Sequence, residues 1–217
     1  MYVHSRFMSI AYKLCVAAVG AAALLHEFGV GQGRLHPDAC LYFTNISNIA
    51  VVLYLLFAAS AQCRRPSDWA MPSAPLCKHM LTLGITVTFL VAHFLLDHGM
   101  VFTGGEFHWA KLVVHYIVPI GMVLDWLLFD RKGTMGFREP LIWPLFPLAY
   151  FGYVALLIYG FGVRVRRESR WPYDFIDVDR YGVGHVLLTV AVLLVVFVGL
   201  GYMGVLADRL LGRAPRS

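Results

Sequence analysis

The chain has 217 residues, of which 59% are hydrophobic and 14% charged, with a mean hydropathy of +0.67 and a formal net charge of +5. That balance excludes a water-soluble domain of this length and points to an integral membrane protein. The basic residues gather at the ends of apolar runs instead of forming one stripe, which argues for lipid headgroups and against nucleic acid as their partner.

Apolar runs of about 20 residues, enough to cross a bilayer, fall at 7–30, 39–61, 77–97, 109–129, 141–163 and 183–206. They predict an all-α polytopic membrane protein, a bundle of six transmembrane helices forming a single domain over residues 1–217. Stretches such as Ile49–Ala59 and Leu187–Leu200 are apolar on every side, so lipid is their outer solvent. Turn signals at Gly104-Gly105 and Arg131-Lys132-Gly133 keep the connections short.

The first run follows Arg6 and contains Ala21-Ala22-Ala23, a pattern that also occurs in cleaved signal peptides. Lys13 interrupts it and it continues to Val30, so a retained helix is expected. In the second, Cys40, Thr44 and Asn48 share one face, with Ser47 beside them and Asn45 rotated by about 100°. The third carries a stripe of Thr86, Phe89, His93 and Asp97.

In the fourth run Lys111 stacks one turn above His115. Pro119 lacks the N–H that would bond the His115 carbonyl, so a bend is predicted there. Asp125-Trp126 reads as an interface anchor, and Trp69, Trp109, Trp126 and Trp171 fall at run ends where amphipathic rings prefer to sit. His26 and Glu27 end the first run, and His185 begins the sixth.

An even number of spans puts Arg6, Arg64, Arg65, Lys78, Arg131, Lys132, Arg138, Arg209, Arg213 and Arg216 on the side of the termini. Arg34, Lys111, Arg164, Arg166, Arg167, Arg170 and Arg180 fall opposite. The positive-inside rule therefore predicts cytoplasmic termini. Cys15 and Cys40 lie within or at the edge of spans, and Cys63 and Cys77 flank a loop expected to face the reducing cytoplasm, so no disulfide framework is implied.

Counted from the face opposite the termini at about 1.5 Å per residue, Thr44 lies roughly 8 Å deep and His115 roughly 9 Å. Polar groups at such depth are costly and mark functional candidates, although a threonine or histidine there more often joins helices. Level placement makes Thr44 and His115 joint candidates, a hydroxyl of the kind that can serve as nucleophile and an imidazole of the kind that can serve as base. A histidine with a pKa near roughly 6.5 suits that work around neutrality.

Asn48, on the face of Thr44, is the better expected donor to an oxyanion, ahead of Asn45. His93 or Asp97 could orient His115 or a water. Two other readings fit the residues. A haem could take two ligands from His26, His93, His115 and His185, or the polar layer could serve a non-enzymatic sensor or interaction protein. No zinc-type cysteine spacing, phosphate-binding glycine loop or Gly-x-Ser-x-Gly elbow occurs, so no metal and no cofactor is assigned, and no oligomeric state is specified.

Three motifs carry a resemblance. Tyr42-Phe43-Thr44-Asn45-Ile46-Ser47-Asn48 opens an apolar run, and His115-Tyr116-Ile117-Val118-Pro119 leads into Leu124-Asp125-Trp126-Leu127-Leu128-Phe129-Asp130. Trp171-Pro172-Tyr173-Asp174-Phe175-Ile176-Asp177-Val178 precedes the last run. In this order they resemble the six-span family that includes the androgen-induced and androgen-dependent proteins of animals, and in particular its bacterial branch. The animal members are intramembrane threonine hydrolases of fatty-acid esters of hydroxy fatty acids. The resemblance implies Thr44 and His115 as the catalytic pair and membrane lipids, with a lipid ester as substrate, as the partners. The Asn-rich surroundings of Thr44 depart from the animal pattern.

Overall fold

A computed structural model describes residues 3–96, 98–165 and 169–212. Six helices are long and apolar enough to cross a membrane: Arg6–Glu27, Phe43–Arg64, Pro75–Leu95, Trp109–Phe129, Glu139–Phe161 and Val178–Gly212. They are called the first to sixth spans below. A two-residue antiparallel pairing, Phe102–Thr103 with Glu106–Phe107, turns at Gly104-Gly105 between the third and fourth.

Local chemistry sets the ends. Ser5 caps the first span by accepting a hydrogen bond from the Met8 N–H at 3.3 Å, and Gly29, at φ +74°, closes it in the left-handed region. The Gly29 and Val30 amides return to the carbonyls of His26 and Leu25, so the helix stops short of the expected Val30. The second span begins at Phe43, four residues later than the apolar run, because Pro37–Leu41 forms a separate 3-10 turn. Gly182, with φ 79° and ψ 160°, breaks the sixth helix, leaving its transbilayer part to start beyond it.

Spans one to four pack around a core that includes Val16, Leu24, Val51, Leu55, Ile85, Val114 and Met122. The fifth span joins the loop before the sixth through Tyr150, Val154, Trp171, Tyr173 and Ile176. Trp171 is fully buried there instead of sitting at the membrane interface, because Phe151 stacks on its ring. The sixth span buries only Val186, Phe197, Gly201, Val205 and Asp208, and presents the rest of its apolar surface outward.

Asp125 is no interface anchor. It is fully buried and binds Lys13 of the first span at 2.7 Å and Lys78 of the third at 2.5 Å, while Lys78 also binds Asp130 at 2.7 Å. Two ammonium groups thus meet two carboxylates, and Lys13 also donates to Ser9 at 2.8 Å. Burial of each charge is tolerable because it is paired and hydrogen-bonded. The cluster ties three spans together near the end of the bundle that carries the termini.

Candidate functional site

The fourth span is not a plain kinked helix. Residues Val113–Ile117 form a π-turn, in which the Val118 N–H bonds the Val113 carbonyl. In an α-helical register that N–H would bond Val114, and Pro119 has none to offer. The freed Val114 carbonyl is taken by the Asn48 side-chain amide of the second span at 2.9 Å. The widened turn presents His115, 5% exposed, to the second span.

Thr44 occupies the second position of its helix, after the N-cap Tyr42. The first bonds of that helix are donated by Asn45 and Ile46 to the Tyr42 carbonyl, leaving the Phe43 and Thr44 amides ahead of the ladder. Thr44 Oγ1 lies 3.3 Å from His115 Nε2. With Nε2 unprotonated, the hydroxyl donates and the imidazole accepts. The positive end of the helix dipole favours negative charge developing on that hydroxyl.

The remaining expected residues take defined places. Asn48 donates to the Thr44 carbonyl at 2.7 Å as well as to Val114, so both its amide protons are spent, and an oxyanion role would require releasing one. Asn45 donates to the Ala39 carbonyl at 3.0 Å. The Oδ1 atoms of both asparagines are buried with no hydrogen-bond partner among the described residues. His93 Nδ1 lies 3.2 Å from the Tyr116 hydroxyl, and its ring stacks on Phe89. Asp97 lies outside the described residues.

Lys111 binds Glu27 at 2.6 Å, His26 meets Trp109 edge-on, and the exposed His185 stacks on Tyr181. Among the described residues, no three His, Cys, Asp or Glu side chains converge as a metal cage.

Beside Thr44 lies a cavity of about 360 Å³ between the second, third, fifth and sixth spans. Its wall is apolar except for Thr44, Thr88, Tyr150 and Tyr173. Phe94 and Val196, on two of those spans, line it and are 73% and 51% exposed on the outer surface, so its mouth opens toward the bilayer. The Thr88 hydroxyl bonds Ser47 and the Gly84 carbonyl, and Tyr150 donates to the Leu41 carbonyl at 2.8 Å.

Tyr173 was not singled out by the sequence. It reaches the site from the loop before the sixth span, is 8% exposed, and packs edge-on to Tyr42. Burial pushes its phenol pKa up, and interaction with the Thr44 side chain and the Thr44 and Phe43 amides draws it back, leaving it at about 12. The only signal for it is its place in the Trp171–Val178 stretch, where aromatic and acidic residues interrupt the apolar pattern. Comparison with family models, with curated proteins and with solved structures finds no match for this chain.

Proposed function

We propose that this protein is an intramembrane hydrolase of lipid esters, with Thr44 as nucleophile and His115 as general base. The carrying observation is the 3.3 Å contact between Thr44 Oγ1 and His115 Nε2 at the edge of a bilayer-facing apolar cavity. A hydroxyl needs such a base to act at neutral pH. The cavity, at the low end of the range for small-ligand sites, suits a single acyl chain.

In the proposed reaction, Thr44 Oγ attacks the ester carbonyl carbon as its proton passes to His115 Nε2. The intermediate collapses, the alkoxide leaves with that proton, and the acyl group stays on Thr44. Water then attacks the acyl-threonine, His115 again taking and returning the proton, and the fatty acid is released. The resemblance to the androgen-induced and androgen-dependent proteins supports fatty-acid esters, including those of hydroxy fatty acids, as substrates. The balance of lysine and arginine supports cytoplasmic termini, and the resemblance to the bacterial branch supports a bacterial plasma membrane.

Purified protein should hydrolyse a long-chain fluorogenic fatty-acid ester, and Thr44→Ala and His115→Ala should each abolish turnover while the protein stays folded. Folded variants that retain full turnover, or a wild-type protein without any, would remove the hydrolase reading and leave the contact as a bond between helices.

A further inference from the structure

We propose that the Tyr173 hydroxyl is the oxyanion donor of this site, acting beside the main-chain N–H groups of Phe43 and Thr44. The inference rests on the hydrolase reading above and adds a catalytic residue to it.

A tetrahedral intermediate on Thr44 needs donors where the carbonyl oxygen becomes negative. Asn48 cannot serve without breaking the bonds that hold the π-turn, since its protons are on the Thr44 and Val114 carbonyls. Of the polar side chains lining the cavity, Thr88 is engaged with Ser47 and Gly84, and Tyr150 with the Leu41 carbonyl. Tyr173 lines the same cavity as Thr44, and its hydroxyl interacts with the Thr44 side chain, beside the reacting oxygen.

Its position is held rigidly. Tyr42 meets the ring edge-on at a centroid distance of 6.0 Å, Phe175 stacks on it at 5.2 Å, and the Ile176 amide bonds its carbonyl at 3.3 Å. The Phe43 and Thr44 amides lie ahead of the helical ladder, whose first bonds come from Asn45 and Ile46 to the Tyr42 carbonyl, on the cavity wall that Phe43, Thr44 and Tyr173 share. A substrate carbonyl oxygen entering the cavity beside Thr44 would have the phenol hydroxyl and the first-turn N–H groups as its donors. A phenol pKa of about 12 keeps the proton on Tyr173 throughout the working range, available to donate.

In the reaction the Thr44 proton goes to His115, the new Oγ–C bond forms, and the carbonyl π pair moves onto the oxygen that Tyr173 holds. Collapse restores the carbonyl and expels the alkoxide with the proton from His115. Tyr173 contributes a hydrogen bond and transfers no proton.

The test uses the purified full chain in detergent micelles with a long-chain fluorogenic ester. Tyr173→Phe is expected to lower kcat on the order of 100-fold, with KM and the melting temperature held near wild type. A second variant carries fluorotyrosine at position 173, which preserves packing and changes only the acidity of the donor, and is expected to shift kcat with KM fixed. Wild-type kcat in both variants, or losses that follow only a lowered melting temperature, would overturn the role of Tyr173 while the Thr44 and His115 variants still report on the hydrolase reading. Absence of turnover in the wild type would overturn both.

Discussion

Replacing Asp125 with asparagine keeps its shape and removes one of two carboxylates facing two ammonium groups. In the native cluster Lys13 and Lys78 are balanced by Asp125 and Asp130, and the side chains of Lys13, Lys78 and Asp125 are at most 2% exposed. In Asp125→Asn, Lys78 keeps Asp130, whereas Lys13 loses its carboxylate and is left with neutral partners such as the Ser9 hydroxyl and the Phe129 ring. Breaking a buried pair in this way costs about 3–5 kcal/mol, because the surviving charge stays desolvated. At about 2–4 °C per kcal/mol for a chain of this size, the melting temperature should fall by about 6–20 °C. Thermal unfolding in detergent, followed by circular dichroism, measures it. Adding Lys13→Met restores neutrality and should recover most of the loss, a non-additivity that a double-mutant cycle reads directly. A fall of less than about 2 °C, or strictly additive losses, would refute charge pairing as the tie between these spans.

Three other perturbations follow from particular contacts. Asn48→Ala strips the bond from the buried Val114 carbonyl and one bond from that of Thr44, and should cost about 1–3 kcal/mol in detergent unfolding. Leu193→Trp fills the lipid-facing cavity and should reduce kcat/KM for long-chain esters roughly tenfold or more, with acetyl-ester turnover unchanged. Burial pushes the Lys132 pKa down to about 8 from its ordinary 10.5, with its ammonium over the Trp126 ring and on two carbonyls. Between those values the unfolded chain holds the proton and the folded one does not, so this group adds stability as pH rises through that window. Unfolding at stepped pH should show the gain in wild type and its loss in Lys132→Met.

Hydropathy was enough to place the spans, because a bilayer demands long apolar helices whatever their neighbours do. The fourth span matches its expected bounds, 109–129, since Gly104-Gly105 and Asp130 stop it on both sides. Two bounds moved for local reasons: Gly29 ends the first span early, and Pro37 diverts the chain into a 3-10 turn before the second. The later start changes the chemistry, placing Thr44 in the first turn, beside amides that precede the helical ladder, instead of inside the helix.

Depth along each helix put Thr44 and His115 in one layer, but depth carries no rotation about the helix axis. For that reason the lysines opposite Asp125 were invisible, each lying on another span. Pro119 signalled irregular backbone near His115, yet not that a π-turn would free Val114 for Asn48. Tyr173 comes from a loop, whose path no periodicity predicts.

The most direct measurement is the residue that a lipid-like fluorophosphonate modifies in the intact protein, identified by tandem mass spectrometry. The expected adduct is on Thr44 Oγ, lost in Thr44→Ala and strongly slowed in His115→Ala. Labelling that persists at wild-type rate in folded Thr44→Ala, or an adduct on another side chain, would contradict the assignment of Thr44 as the nucleophile.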